Sequence, residues 1–406
     1  MRSVVFVAPF FAETTLRFVD AVADLDGVRL GLISQDPLER LPGRLRSKLA
    51  GHWRIDDGLD PAQIAEAVRQ LGRQTGRCRR LLGALEQLQL PLAQVREALG
   101  IPGMGVAAAH NFRDKARMKQ VLQAAGIDCA RHSLARSAAE ALQFAQSLGF
   151  PLVIKPPAGA GARNTMRVES LGELQRALAL MPPEAHRPVL LEEFVVGEEH
   201  SFDTVSIGGR PVWHSLTHYR PGPLAVMENP WIQWTVLLPR EVDDPRYDDI
   251  RAVAFRALEV LGMDSGLSHL EWFRRPAGGV AVSEVAARPP GAQFTTLISY
   301  AHDLDFYRAW AGVVVEERFE APPRRFAAGI AFLRGQGQGR VRAIQGLDAA
   351  QRELGQLVVE VRLPQAGQHP AGSYEGEGYV VLRHPDTAVV ARALERVVRL
   401  VRVELG

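Results

Sequence analysis

Two glutamates flanking a short turn carry the clearest chemical signal. Glu271 and Glu284 lie symmetrically about the centre of Pro276-Ala-Gly-Gly279. With a turn of even length there, the two carboxylates face each other across an antiparallel hairpin. His269, Phe273, Val280 and Val282 then share their face, and Leu270, Trp272, Ala281 and Val285 the other. Both faces are largely apolar, so the hairpin reads as covered on both sides. Two opposed carboxylates would repel there and be poorly solvated. A divalent cation removes that conflict, and Mg2+ is commonly held by one or two carboxylates plus phosphates. A turn of odd length would shift the register and separate the pair. Arg288 follows in Val285-Ala-Ala-Arg-Pro-Pro-Gly291, placed to clamp a transferring phosphoryl group or a substrate carboxylate.

A second group of residues suits a nucleotide. Lys155 closes the apolar run Pro151-Leu-Val-Ile-Lys-Pro156, and Pro157-Ala-Gly-Ala-Gly-Ala-Arg-Asn164 follows at once. A loop with Gly159 and Gly161 can turn several backbone N–H groups toward one point, as a polyphosphate requires. The lysine adds a positive charge beside it. Further on, Val189-Leu-Leu-Glu-Glu-Phe-Val195 can offer backbone groups to an adenine edge around Glu192 and Val195. Glu199 can accept hydrogen bonds from ribose hydroxyls.

These residues need elements to hold them. Val4–Ala8, Leu30–Ser34 and Arg80–Leu85 read as strands, alternating with helices over Glu13–Ala23, Pro61–Leu71 and Pro91–Leu99. That alternation predicts a small parallel sheet with helices on both faces. Further helices are expected over Asp114–Ala125, Ala138–Leu148, Leu171–Leu180, Asp248–Leu261 and Thr387–Val401. Strands are expected over Pro151–Lys155, Met166–Val168, Val189–Phe194, Leu267–Arg274 and Val280–Val285. Residues 195–240 read as strand-like but irregular. Turn-rich Gly100–Gly105 and the pair Pro322-Pro323 mark boundaries. The Gly-rich stretch Arg334–Arg340 reads as a hairpin turn.

Composition narrows the class. A chain of 406 residues with 23% charged and 47% hydrophobic residues matches a globular protein of several domains. A net charge of +2 gives no electrostatic footprint for nucleic acid or an anionic membrane. No apolar run reaches the ~18–20 residues needed to span a bilayer. Cys78 and Cys129 are too few for a disulfide scaffold or a four-ligand zinc site, which fits a reducing, cytoplasmic setting. Of 48 basic residues only four are lysines (Lys48, Lys115, Lys119 and Lys155), against 44 arginines. Lys119 reads as part of a solvated helix face. His200, His214 and His218 read as packing or hydrogen-bonding residues, and both cysteines as inert. Thr217–Trp234, with its tryptophans and prolines, reads as the wall of an acceptor pocket.

In order along residues 110–295, the segments resemble the ATP-grasp superfamily. The resemblance rests on Asn111-Phe-Arg-Asp-Lys-Ala-Arg-Met-Lys119, Gly149-Phe-Pro-Leu-Val-Ile-Lys-Pro156, Leu191-Glu-Glu-Phe194, Gly197-Glu-Glu199, His269-Leu-Glu271 and Glu284-Val-Ala-Ala-Arg288. It implies an α/β and α+β multidomain fold. A Rossmann-like βα domain would span 1–110. An ATP-grasp core of two α+β subdomains clasping ATP would span 111–321, its lid at about 125–195, and a small α+β domain 322–406. It implies ATP as the nucleotide and Mg2+ or Mn2+ as the metal. Lys115 and Lys155, with Gly159 and Gly161, would hold the phosphates, Glu192 and Val195 the adenine, and Glu199 the ribose. Glu271 and Glu284 would bind metal, and Arg288 would stabilise the transition state. Many members carry Asn two residues after the second metal glutamate, where this chain has Ala286.

The implied chemistry is ATP-dependent joining of a small carboxylate to an amine through an acyl phosphate, as in carboxylate–amine ligases. Bicarbonate activation, as in biotin carboxylase or carbamoyl-phosphate synthetase-like enzymes, uses the same machinery and stays open. So do a non-catalytic ATP-binding regulatory module and a homodimeric assembly. Retention of Lys115 and Lys155 in so arginine-rich a chain suggests that a planar guanidinium does not serve at either place. Lys115→Arg and Lys155→Arg are each expected to cripple ATP turnover, and wild-type ADP release by both variants would refute this.

Overall fold

The computed structural model describes residues 1–159, 164–229 and 231–406. Its first unit is a parallel sheet of β1 (Arg2–Val7), β2 (Val28–Ser34), β3 (Gly51–Arg54) and β4 (Cys78–Leu82), in the order β3-β2-β1-β4. Side chains of β1 alternate between two cores. Val4 and Phe6 pack with helix Glu13–Ala23, and Val5 and Val7 with helix Pro61–Thr75. A strand buried on both faces needs such a continuous apolar run. Asp60 caps the second helix by accepting from the Ala62 N–H at 2.8 Å. Strand β3 is Gly-His-Trp-Arg, with no apolar run to announce it.

A second sheet has the order β5-β8-β6-β7, from β5 (His132–Ala135), β6 (Leu152–Lys155), β7 (Met166–Val168) and β8 (Val189–Glu193). Helices Ala138–Leu148 and Leu171–Leu180 cover one face. Leu152 and Ile154 bury against them. The period of two therefore turns Val153 and Lys155 to the opposite face.

The largest sheet has eight strands, ordered β13-β12-β9-β10-β11-β14-β18-β17. They are β9 (Glu198–Ile207), β10 (Arg210–Arg220), β11 (Trp234–Leu238), β12 (Gly266–Arg274), β13 (Val280–Ala286), β14 (Ala327–Leu333), β17 (Val358–Arg362) and β18 (Gly378–His384). Strands from both sides of Pro322-Pro323 share this sheet, so that position is not one of its edges. A small sheet joins β15 (Gly335–Gln336), β19 (Arg402–Leu405) and β16 (Val341–Gln345). Strand β19 lies between β15 and β16, so the Gly-rich stretch is not the tight hairpin turn expected of it. Helices Phe294–His302 and Phe306–Glu316, which the sequence did not single out, are largely buried. They contribute to the core shared with the first sheet.

The β12–β13 hairpin departs from expectation twice, and the departures cancel. Arg274 pairs with Val280, leaving a five-residue loop of odd length. Pairing runs Phe273 with Ala281 and Trp272 with Val282 until a bulge takes up Ser283. Beyond it the register returns, and Glu271 stands opposite Glu284. Between turn and bulge the faces are exchanged. Val280 and Val282 pack with Trp272, while Ala281 sits with Phe273, Val195 and Ala130.

Gly197 admits the chain to β9 beside this hairpin. A Cβ there would lie 2.5 Å from the Arg274 carbonyl oxygen, a backbone atom that cannot swing aside. Gly197→Ala is expected to destabilise the fold by about 1–3 kcal/mol in thermal or denaturant unfolding. Helical Gly172, with its nearest neighbour a flexible arginine tip at 3.7 Å, serves as the tolerant control. Equal stability of the two alanine variants would contradict this account.

Candidate functional site

Three of the four lysines converge. Asp114 caps helix Lys115–Ala124 through the N–H groups of Ala116 and Arg117. Lys115 and Lys119, one turn apart, share a face of that helix. Lys115 Nζ donates to Glu284 and, at 3.1 Å, to the carbonyl of Gly159. Lys119 is fully buried, contrary to the solvated face expected of it. Its Nζ donates to the carbonyl of Ser283, the bulge residue, at 2.7 Å and lies 3.4 Å from Glu192. Lys155 arrives from β6 and pairs with the other oxygen of Glu192 at 2.8 Å.

Electrostatics bind this cluster. Burial acts to lower the Lys155 pKa, but Glu192 and Glu284 outweigh it and the net shift is upward. At Lys119 burial prevails over Glu192, and the pKa falls. Glu192 and Glu284 are held below the usual carboxylate range, since their lysines overcome the effect of burial. The Glu192 carboxylate is thus the counter-ion of two ammonium groups, a role its sequence context did not reveal.

On the neighbouring strands, Glu199, Ser201 and Asp203 of β9 share a face with His269 and Glu271 of β12. His269 Nδ1 contacts Asp203 at 2.6 Å, and Nε2 lies 3.6 Å from Glu271. Burial opposes its charge, but Asp203 and Glu271 raise its pKa to about 9, so it is an imidazolium at neutral pH. Burial, then Glu271 and Glu284, raise the pKa of Glu199. The histidines read as packing residues are just that. His200 meets His218 edge-on and Trp272 at a tilt, His214 lies flat on Phe202, and burial lowers all three pKa values.

All the expected site residues among those described line one open cleft. They are Lys115, Lys155, Gly159, Glu192, Val195, Glu199, Glu271, Glu284 and Arg288. Gly161 lies outside the described residues. Arg288 is not free. Its Nε donates to Glu86 at 2.7 Å, a residue the sequence did not single out. Two separate apolar clusters also reach the cleft. One contains Ala130 and Val195 with Phe273 packed on it, and the other Tyr219, Trp234 and Phe294 with Tyr374 against it. The second includes Tyr219 and Trp234 of the segment expected to line an acceptor pocket.

The residues present fit Mg2+. Among those described, no group of three or more His, Cys, Asp and Glu is arranged to hold a metal. The opposed Glu271 and Glu284 supply the one or two carboxylates that Mg2+ takes when phosphates and water complete its shell. Ala286 lines the cleft without a donor atom.

Residues 120–302 match the family model of the ATP-grasp domain. An uncharacterized protein of Sinorhizobium fredii is 26% identical over 328 residues, 77% of this chain and 66% of that protein. An L-arginine-specific L-amino acid ligase of Bacillus subtilis is 24% identical over 284 residues, 67% of this chain and 66% of that protein. The matched regions thus span just under two thirds of these relatives. Among solved structures, an L-amino acid ligase from Bacillus licheniformis aligns with a TM-score of 0.80 at 19% identity, over 100% of this chain and 99% of that one. That likeness is one of fold. Among the described residues no helix is long and apolar enough to cross a membrane.

Removing Glu192 would strand two buried ammonium groups. Glu192→Gln is expected to destabilise the fold by about 3–5 kcal/mol in denaturant unfolding, as when one partner of a buried ion pair is deleted. A change under about 1 kcal/mol, as for an exposed pair, would show that the cluster is solvated.

Proposed function

We propose that this chain, whose residues 120–302 match the ATP-grasp domain, is an ATP-dependent ligase joining an organic carboxylate to an amine. The observation that carries the choice of an organic acid is the second apolar cluster in the cleft. Tyr219, Trp234, Phe294 and Tyr374 stand beside the charged groups, in addition to the apolar residues around Val195. An adenine needs one apolar surface, and bicarbonate needs none. A second aromatic wall suits the body of an organic substrate. Similarity to an L-amino acid ligase supports the same reading.

In this mechanism Lys115, Lys155 and the backbone at Gly159 and Gly161 hold the phosphates of ATP. The residues around Val195 hold the adenine and Glu199 the ribose. The substrate carboxylate attacks the γ-phosphorus, ADP leaves, and an acyl phosphate forms. The amine then attacks the acyl carbon, loses a proton, and expels phosphate. Arg288 and the His269 imidazolium face the anionic groups that these steps create. Glu271 and Glu284 would hold Mg2+, which supplies charge neutralisation at the phosphates. Lys119 keeps Glu192 and the bulge at Ser283 in place. Two buried thiols and a need for ATP suit the cytoplasm.

The test is ADP release from Mg-ATP across a panel of carboxylic acids, with hydroxylamine to trap acyl phosphate. A hydroxamate from an organic acid is expected. ADP release with bicarbonate alone would replace the reading by bicarbonate activation, and ATP binding without turnover by a regulatory module. Glu284→Gln is expected to abolish hydroxamate formation, and near-normal activity would remove the metal assignment.

A further inference from the structure

Glu86 belongs to the first unit of the chain, on the short turn Glu86–Leu88 after β4. Its side chain is 6% exposed and stands between two guanidinium groups. Arg288 Nε donates to Oε2 at 2.7 Å, and Arg113 Nη1 lies 3.7 Å from Oε1. Arg113 Nη1 also reaches the carbonyl of Gly159 at 3.5 Å, where the Gly/Ala loop begins. Arg288 Nη1 donates to the Pro289 carbonyl at 2.9 Å. These bonds use Nε and Nη1 of Arg288 and leave Nη2 outside them. A planar guanidinium held along one edge has its plane fixed, and so has the direction of its remaining donors.

We propose that Glu86 is a positioning residue for phosphoryl transfer, orienting Arg288 toward the cleft and tying it through Arg113 to the start of the Gly/Ala loop. The first unit then completes the site rather than merely flanking it. The proposal rests on the ligase reading only for its kinetic readout. A bridge that merely docks the first unit would alter stability without altering the chemical step selectively.

The experiment compares wild type, Glu86→Gln, Arg288→Ala and the double variant, with unfolding curves confirming that each is folded at the assay temperature. Glu86→Gln keeps the side-chain volume and removes the charge. Its kcat for hydroxamate formation is expected to fall about 10–100-fold, as for a misplaced catalytic group, with KM for ATP nearly unchanged. The double variant is expected to be no slower than Arg288→Ala, because the two residues act as a unit. Wild-type kcat in Glu86→Gln, or losses that multiply in the double variant, would overturn the proposal. A second readout needs no organic acid. Mg-ADP should stabilise wild type and Glu86→Gln equally against heat, while the additional stabilisation from aluminium fluoride should be lost in the variant. Its retention in Glu86→Gln, or its absence from wild type, would also overturn the proposal. Loss of that stabilisation in the variant, with no hydroxamate from any acid in wild type, would sink the ligase reading and leave Glu86 in place.

Discussion

Neutralisation of buried positive charge is the constraint on which the site depends. Lys119 is wholly enclosed and Lys115 and Lys155 nearly so, and no isolated ammonium group is stable in such surroundings. Glu192 and Glu284 answer them from two different sheets. Because each carboxylate serves a lysine from another element, the second sheet, helix Lys115–Ala124 and the hairpin are locked into one arrangement. A polyphosphate entering the cleft would bring negative charge to a cluster of three lysines and two carboxylates. Mg2+ held by Glu271 and Glu284 would supply charge neutralisation at those phosphates.

Backbone irregularity serves the same end. The bulge at Ser283 restores the facing of Glu271 and Glu284 that a five-residue loop would otherwise destroy. The Ser283 carbonyl accepts from Lys119, so one irregular residue sets the carboxylate register and receives the most deeply buried lysine. The symmetric spacing of the two glutamates thus led to the right pair through an incomplete description of the hairpin. The assumed loop was even and the observed one is odd, and only the bulge reconciles them.

Much of the frame was legible because it follows local rules. Helices Glu13–Ala23, Ala138–Leu148 and Asp248–Leu261 appear at their expected bounds, each with a clear apolar period. Strands buried on both faces, such as β1, were readable as apolar runs. Helices Phe294–His302 and Phe306–Glu316 were not singled out, although both are largely buried in the finished fold. Lys119 was misread. Nothing local to a helical lysine tells whether the surface above it is water or another sheet.

The sequence alone singled out the residue types proposed to carry the chemistry. Two lysines, a Gly/Ala loop, two symmetric glutamates and an arginine follow one another at spacings that local geometry can interpret. Only the tertiary structure decided their partners. Glu192 as counter-ion of two lysines, the Asp203–His269–Glu271 series and the grip of Glu86 on Arg288 join residues distant in the chain. The physical reason is that periodicity and turn chemistry act over a few residues. Burial and charge pairing depend on which surfaces the finished fold brings together.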